Sequence, residues 1–415
     1  MADHRARSID VNRPHPVVFL FLVIPFGVMQ GYLSVTLGYQ LAKGGVSTGA
    51  IAALIALGYV PHTWKFLWAP IADTTLSRKL WYVLAAAVSA AGIFAMGALP
   101  ASAESLPWLS AIVLVANLAV TFLAMAVESL MAYGAAESEK GRAGGWFQAG
   151  NLGGTGLGGG AGLWIAERLA NPLVPGTALA VACLLCCLGL LFIREPAPMP
   201  REASYARTLR GVLHDLWAVA RSRPGFLALL ICFLPIGTGA ASNLFSATAA
   251  DWQASADAVA LVNGIGGGMV AALGCVVGGY LCDRMDRKTA YYVFGLAGAL
   301  CALAMAAAPR TELAYSAFCL VYWFISGLCY AAFSAVVLEA IGLGAAATKY
   351  SLFASLSNMP IQYMTLVDGW GHTRWGTGGM LLTEALVGVL AVLVFLGVAA
   401  ASRISSSQAA SHRTP

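Results

Sequence analysis

From Val17 to Arg403 the chain runs as apolar blocks, most of them about 20 residues or longer. Short stretches that hold most of the charge separate them. That block length is what roughly 30 Å of hydrocarbon asks of an α-helix rising about 1.5 Å per residue. Only 10% of the 415 residues are charged and 59% are hydrophobic, whereas roughly 25% of an ordinary soluble domain is charged. A soluble fold of this length has too little interior to hide so much apolar surface. The alternating segments of an outer-membrane barrel are absent. The pattern specifies an all-α integral membrane protein.

Reading the blocks between charged or turn-forming breaks gives twelve spans, at 17–42, 48–72, 80–99, 108–136, 144–168 and 175–193, then 224–249, 257–282, 290–308, 313–341, 348–371 and 376–402. Spans five and eight are crowded with glycine. Nineteen of the 24 Lys and Arg residues fall on the side of the N-terminus and only Lys43, Arg168, Arg310 and Arg374 on the other, which predicts that both termini are cytoplasmic. The first block is too long for a signal-peptide core and lacks a cleavage site, so it reads as a retained span. The formal charge of +5 follows this topology and does not indicate nucleic-acid binding. All nine cysteines lie in apolar blocks or at their edges, which argues against a disulfide framework.

The organisation expected is a tail at 1–16, a six-helix bundle at 17–193, a linker at 194–223, a second six-helix bundle at 224–402 and a tail at 403–415. Within the linker, Leu209, Val212, Leu213, Leu216 and Val219 are spaced either for a helix lying on the membrane surface or for a merely solvated connector. The halves echo each other. Asp73, then Arg78-Lys79 and Trp81-Tyr82-Val83, recurs as Asp283, Arg287-Lys288 and Tyr291-Tyr292-Val293, with an offset of 210 residues for the aspartate and the aromatic pair. A parallel repeat of six spans is the build of a rocking transporter with its site between the halves.

Gly278-Gly279-Tyr280-Leu281-Cys282-Asp283-Arg284-Met285-Asp286-Arg287-Lys288 resembles the cytoplasmic loop signature of the major facilitator superfamily. The resemblance implies two pseudo-symmetric six-helix bundles and a cytoplasmic gate at Asp73, Arg78, Lys79, Asp283, Arg284, Arg287 and Lys288, whose ion pairs break as the halves rock. Tyr59-Val60-Pro61-His62-Thr63-Trp64-Lys65-Phe66-Leu67-Trp68-Ala69-Pro70-Ile71-Ala72-Asp73 resembles the second-span motif of the muropeptide permease and acetyl-CoA transporter group, and the run from Ala345 to Asn358 is similar to that group's tenth-to-eleventh-span junction. The span-four region departs from the group's paired aspartates and offers only Glu128. The length is closer to the compact, siderophore-permease-like branch.

An ionisable group in hydrocarbon costs at least roughly 2.5–3.5 kcal/mol, so it needs a partner, a wet cavity or a function. Glu128 and Lys65 lie at similar depth on spans four and two and can pair. A carboxylate alternating between an ammonium partner and a proton is a coupling device, and His62, one turn from Lys65, can titrate near neutral pH. Snorkelling of Lys65 and a static pair are the structural alternatives. Asp368 is read as solvated near the outer end of span eleven, and Glu339 and Glu384 as interfacial or structural. Gln30, Gln148, Asn151, Asn243, Tyr330, Asn358 and Gln362 are expected to line the substrate cavity, with interhelical hydrogen bonding as the plainer alternative. Ser326, Tyr330 and Ser334 form a stripe on span ten. Gly154-x-Gly156-x-x-Gly159 spells a dinucleotide fingerprint but follows no strand, so close helix packing explains it better. Span five also lacks the proline of drug–proton antiporters. Cys183, Cys186 and Cys187 have no partner for a metal site.

These readings converge on a secondary transporter in the inner membrane. It is expected to be monomeric in the lipid bilayer, to use no cofactor, metal or nucleic acid, and to import a bulky polar small-molecule solute (muropeptide-, siderophore- or acyl-CoA-like) with protons. An efflux antiporter is the alternative within the same class. A transport-inactive membrane sensor or a membrane enzyme is the alternative outside it.

Overall fold

A computed structural model describes residues 14–134, 140–195, 210–211, 214, 217–218, 220–341 and 352–411. The helices are α1 (Val18–Lys43), α2 (Thr48–Leu67), α3 (Arg78–Ala98), α4 (Leu106–Gly134), α5 (140–168), α6 (Leu173–Phe192), α7 (Arg223–Phe233), α8 (Ala256–Cys282), α9 (Arg287–Ala307), α10 (Glu312–Ile341), α11 (358–375) and α12 (377–411). Among the described residues, nine helical runs are long and apolar enough to cross a membrane. One of the nine holds both α11 and α12, which part at Gly376, where φ is 67°. The glycine-rich α5 and the short α7 are not among them.

Serine and aspartate set the helix starts. Ser47, Ser77, Ser255 and Asp286 accept backbone N–H groups at the first turns of α2, α3, α8 and α9, so donors left over at a helix end are met by side chains. α1 to α6 pack together, as do α7 to α12, and the two groups meet through α2 against α11 and α5 against α8.

Glycine sets the closeness of these contacts. Gly150, Gly154 and Gly158 recur every fourth residue on α5 and pack against the α1 backbone from Leu20 to Tyr32, while Gly27 and Gly31 of α1 take the α5 backbone at Asn151 and Thr155. A Cβ on Gly154 would lie 2.4 Å from the Ile24 carbonyl oxygen, and one on Gly31 would lie 2.1 Å from that of Thr155. The apparent fingerprint is therefore a helix-packing stripe. π-helical turns at Tyr32–Leu37, Leu157–Ala161 and Leu261–Ile265 meet where α1, α5 and α8 touch. Thr36 Oγ1 donates to the Gly158 and Gly159 carbonyls at 2.7 and 3.1 Å, meeting groups that the wider turn releases.

Span seven departs from the continuous 224–249 helix read from the sequence. α7 ends at Phe233, and the chain continues through Pro235, Gly237 (φ 59°) and Gly239 (φ 72°) into short turns at Ala240–Leu244 and Ala249–Trp252. Proline removes a ladder donor and the two glycines take a left-handed backbone, so the helix cannot propagate. Spans four and five also sit a few residues earlier than read. The five apolar linker positions and residues 345–351 of the tenth-to-eleventh-span motif lie outside the described residues.

Gly154→Val should drive a side chain into the α1 backbone at a cost of about 1–3 kcal/mol and lower the melting temperature of the purified protein. Gly153→Ala, where a Cβ meets nothing within 4 Å, should leave it unchanged.

Candidate functional site

One stripe of α4 organises the polar interior of the first six helices. Asn117, Thr121 and Glu128 recur at helical spacing, and each holds a residue of the α2 motif. Asn117 Oδ1 lies 3.1 Å from His62 Nε2, Thr121 accepts Trp68 Nε1–H at 2.9 Å, and Glu128 Oε1 accepts Lys65 Nζ at 3.2 Å. α2 tightens to a 3-10 turn at Lys65–Leu67 just after Pro61. Pro61 leaves the Leu57 carbonyl without its ladder donor one turn earlier, and the tighter turn sets the direction of Lys65.

Gln30 of α1 completes the upper cluster. Its Nε2 lies 2.9 Å from His62 Nε2 and donates to Asn117 Oδ1 at 3.3 Å. A proton on Nε2 lets the imidazole donate to Asn117, whereas a bare Nε2 accepts from Gln30, so the trio accommodates either tautomer. The ring is buried, and Phe26 packs against it edge-on at 5.3 Å. Lys65 and Glu128 form a separate pair with side-chain exposures of 15% and 36%, so the ammonium is sheltered and the carboxylate is reachable.

The polar seam then crosses between the halves. Tyr59 Oη donates to Asn243 Oδ1 at 3.2 Å, and Asn243 Nδ2 donates to Thr365 Oγ1 of α11 at 3.0 Å. Asn243 reaches this position because the chain after α7 is unwound.

The end opposite the chain termini is sealed. Gly369 of α11 meets Gly49 and Ala52 of α2, Gly160 meets Gly264 where α5 crosses α8, and Ser246 Oγ donates to the Ser34 carbonyl. Arg168 clamps Asp257 with two bonds of 2.9 and 3.1 Å across the same seam. At this end His372 also pairs with Asp251 at 2.9 Å; that bond, with those from Thr377 and the nearby Arg310 charge, holds the Asp251 carboxyl below its ordinary range despite partial desolvation.

The other predicted residues are scattered. Gln148 is exposed and Asn151 and Gln362 are half-buried. Asn358 spends its amide on the Ala354 and Ser355 carbonyls of the turn just before α11. Tyr330 is 57% exposed, and Ser326 faces a cavity inside the second group of helices. Of the gate residues, Arg78 Nε donates to Ser129 at 2.5 Å and Lys79 Nζ to the Leu190 carbonyl at 2.8 Å, so both hold their own half together. Asp283 and Arg284 are exposed, with Arg284 folded 3.4 Å over the Tyr280 ring, while Arg287 and Lys288 open α9 half-buried. The side chain of Asp73 lies outside the described residues.

Two readings are corrected. Asp368 is not solvated: it is fully buried, and neither of its oxygens has a donor among the described residues. Glu384 is not interfacial: it is buried beside Asp368, with Oε1 accepting Tyr322 Oη–H at 2.6 Å. Span eleven was read as ending at 371, but the break falls at Gly376, which leaves Asp368 eight residues inside the helix. Asn117, Thr121, Tyr59 and Thr365 were missed as well. Asn117 and Thr121 are four apart in an otherwise apolar run, a signal as legible as the amide pairs that were singled out.

A family model described as Major Facilitator Superfamily matches residues 17–361. The anhydromuropeptide permease of Escherichia coli is similar over 408 residues at 24% identity, covering 93% of this chain and 80% of that protein. A solved mutant of the nucleoside transporter NupG superposes with a TM-score of 0.71 at 13% identity, covering 92% of this chain and 98% of its own. A D-xylose-proton symporter gives 0.70 at 15% identity, with 92% and 96% covered. These two structures show the fold.

Removing Glu128 alone leaves a sheltered ammonium unpaired, so Glu128→Met should lower the melting temperature more than Glu128→Met combined with Lys65→Met. A double-mutant cycle of melting temperatures measures the coupling.

Proposed function

Because the chain belongs to the Major Facilitator Superfamily, a family of transporters and not of enzymes, we propose that it imports a bulky polar solute with protons by alternating access. The observation that carries this reading is the polar seam at the meeting of the halves. Gln30, His62 and Asn117, then Tyr59, Asn243 and Thr365, place amides, hydroxyls and an imidazole within a largely apolar molecule beneath a sealed end. Such groups suit a solute rich in amides and hydroxyls.

On this reading twelve helices cross the inner membrane as two pseudo-symmetric six-helix bundles, with both termini cytoplasmic and one chain as the working unit. The sealed end then faces outward. Lys65 and Glu128 act at the cytoplasmic side of the seam, where the carboxylate exchanges its ammonium partner for a proton as the bundles rock. The gate residues Asp73, Arg78, Lys79, Asp283, Arg284, Arg287 and Lys288 re-pair across the bundles in the opposite state. The similarity to an anhydromuropeptide permease, with the Lys65–Pro70 motif, makes a muropeptide the first solute to test and siderophores and short-chain acyl-CoA the comparators.

Uptake by purified protein in liposomes should accumulate an anhydromuropeptide only under an inward proton gradient. Glu128→Gln should reduce gradient-driven accumulation to mere equilibration while solute exchange continues. Equal uptake with and without the gradient would sink the coupling. Extrusion from loaded vesicles without uptake would favour an efflux antiporter.

A further inference from the structure

Inside the second bundle, Pro235, Gly237 and Gly239 of the unwound segment, Gly295 and Gly298 of α9, and Ser326 of α10 line a cavity into which Glu384 of α12 also projects. Behind Glu384 stands Asp368 of α11. Both are at least nine-tenths buried, and they stand eight residues either side of the Gly376 break, so that the α11–α12 hairpin makes them neighbours. Three of their four oxygens, Asp368 Oδ1 and Oδ2 and Glu384 Oε2, have no hydrogen-bond donor among the described residues. The fourth, Glu384 Oε1, accepts from Tyr322 at 2.6 Å.

Two facing carboxylates in a dry interior repel each other and lack the water that would stabilise both charges. A bond between them closes only when one carries a proton. Among the described residues, the groups facing the pair supply no competing cation. From α10 the facing titratable groups are Tyr322 and Cys329, and from α9 Cys301. α2 presents Thr48, Gly49 and Ala52 to this part of α11, and the segment after α7 presents Asn243, already bonded to Thr365. His372, one turn along α11, is engaged with Asp251, and Arg310 lies 4.1 Å over the Trp252 ring. Three carbonyls of the broken helix already have donors. Tyr363 donates to the Phe233 carbonyl at 2.7 Å, Tyr291 to that of Ile236 at 2.8 Å, and Ser242 to that of Gly239 at 2.6 Å.

We propose that Asp368 and Glu384 form a second proton-binding site, within the C-terminal bundle and separate from Lys65–Glu128, which holds one shared proton and exchanges it through the cavity beside α7. Its use in coupling rests on the proposed transport reading; the binding itself does not. Tyr322 positions Glu384, fixing one oxygen so that the other points at Asp368. No bond other than that to the proton forms or breaks: the proton passes between a carboxyl oxygen and water reaching the cavity.

The test is infrared difference spectroscopy of the full-length protein in lipid vesicles, titrated in pH without any solute. The wild type should show the C=O stretch of one buried protonated carboxyl that disappears as pH rises. Asp368→Asn and Glu384→Gln should each shift that band in frequency and titration midpoint, the double variant should remove it, and Tyr322→Phe should shift both its frequency and its midpoint. Should either acid variant fail to fold, the frequency shift in Tyr322→Phe carries the test. A band unchanged in frequency and midpoint in Asp368→Asn and in Glu384→Gln, one that survives in the double variant, or one that fails to move in Tyr322→Phe overturns the proposal. So does loss of the wild-type band at constant pH on replacing choline chloride with sodium chloride, which would make this a metal-ion site. Because no transport is measured, the result is independent of whether the chain imports muropeptides.

Discussion

In the middle of a bilayer no water meets a freed backbone carbonyl, so any break in a helix has to be answered from within the chain. That constraint governs where this protein departs from regular helix. α7 stops before Pro235, and hydroxyls of Tyr363 and Tyr291 reach in from α11 and α9 to take the Phe233 and Ile236 carbonyls. In the first half, Tyr82 from α3 donates to the Leu22 carbonyl at 2.9 Å, next to the Phe21 carbonyl that Pro25 leaves without its ladder donor. The same device serves both halves, from the third helix to the first. Once the break after α7 is stabilised, Asn243 is free to reach Tyr59 across the seam, and the glycines it exposes open the cavity beside Glu384.

Glycine has the complementary role. Backbones approach too closely for a Cβ where α1 meets α5 within the first half, and again where α2 meets α11 and α5 meets α8, which brings the halves together at one end. These contacts need no strong polar bonds, so they can part without a large electrostatic penalty. The Arg168–Asp257 clamp is well exposed, which makes it a light latch rather than a lock. A membrane transporter needs contacts of this kind, close enough to seal and weak enough to reopen.

The all-helical membrane fold was legible because block length and charge fraction leave few alternatives. The pairing of Lys65 with Glu128 was legible because helix rise converts residue counts into depth, and both counts gave the same depth. The same arithmetic failed for Asp368. It was measured from an assumed span end at 371, and at about 1.5 Å per residue the true break at Gly376 puts it roughly 12 Å inside. The break in span seven was announced by Pro235, Gly237 and Gly239, but an apolar run around them hid it. Gln148 and Asn358 show the other limit. An amide on a helix says nothing about which way it faces, and Asn358 serves its own backbone.

The central claim is that the halves separate at the sealed end while the polar seam stays between them. Pulsed electron resonance between spin labels at Asn171 and Arg374, both exposed at that end and one on each half, measures this directly. The account predicts one short distance in lipid without solute and a second, longer population when an anhydromuropeptide and acidic pH are supplied together. A single unchanged distance under every condition, from protein that binds the solute, would contradict it.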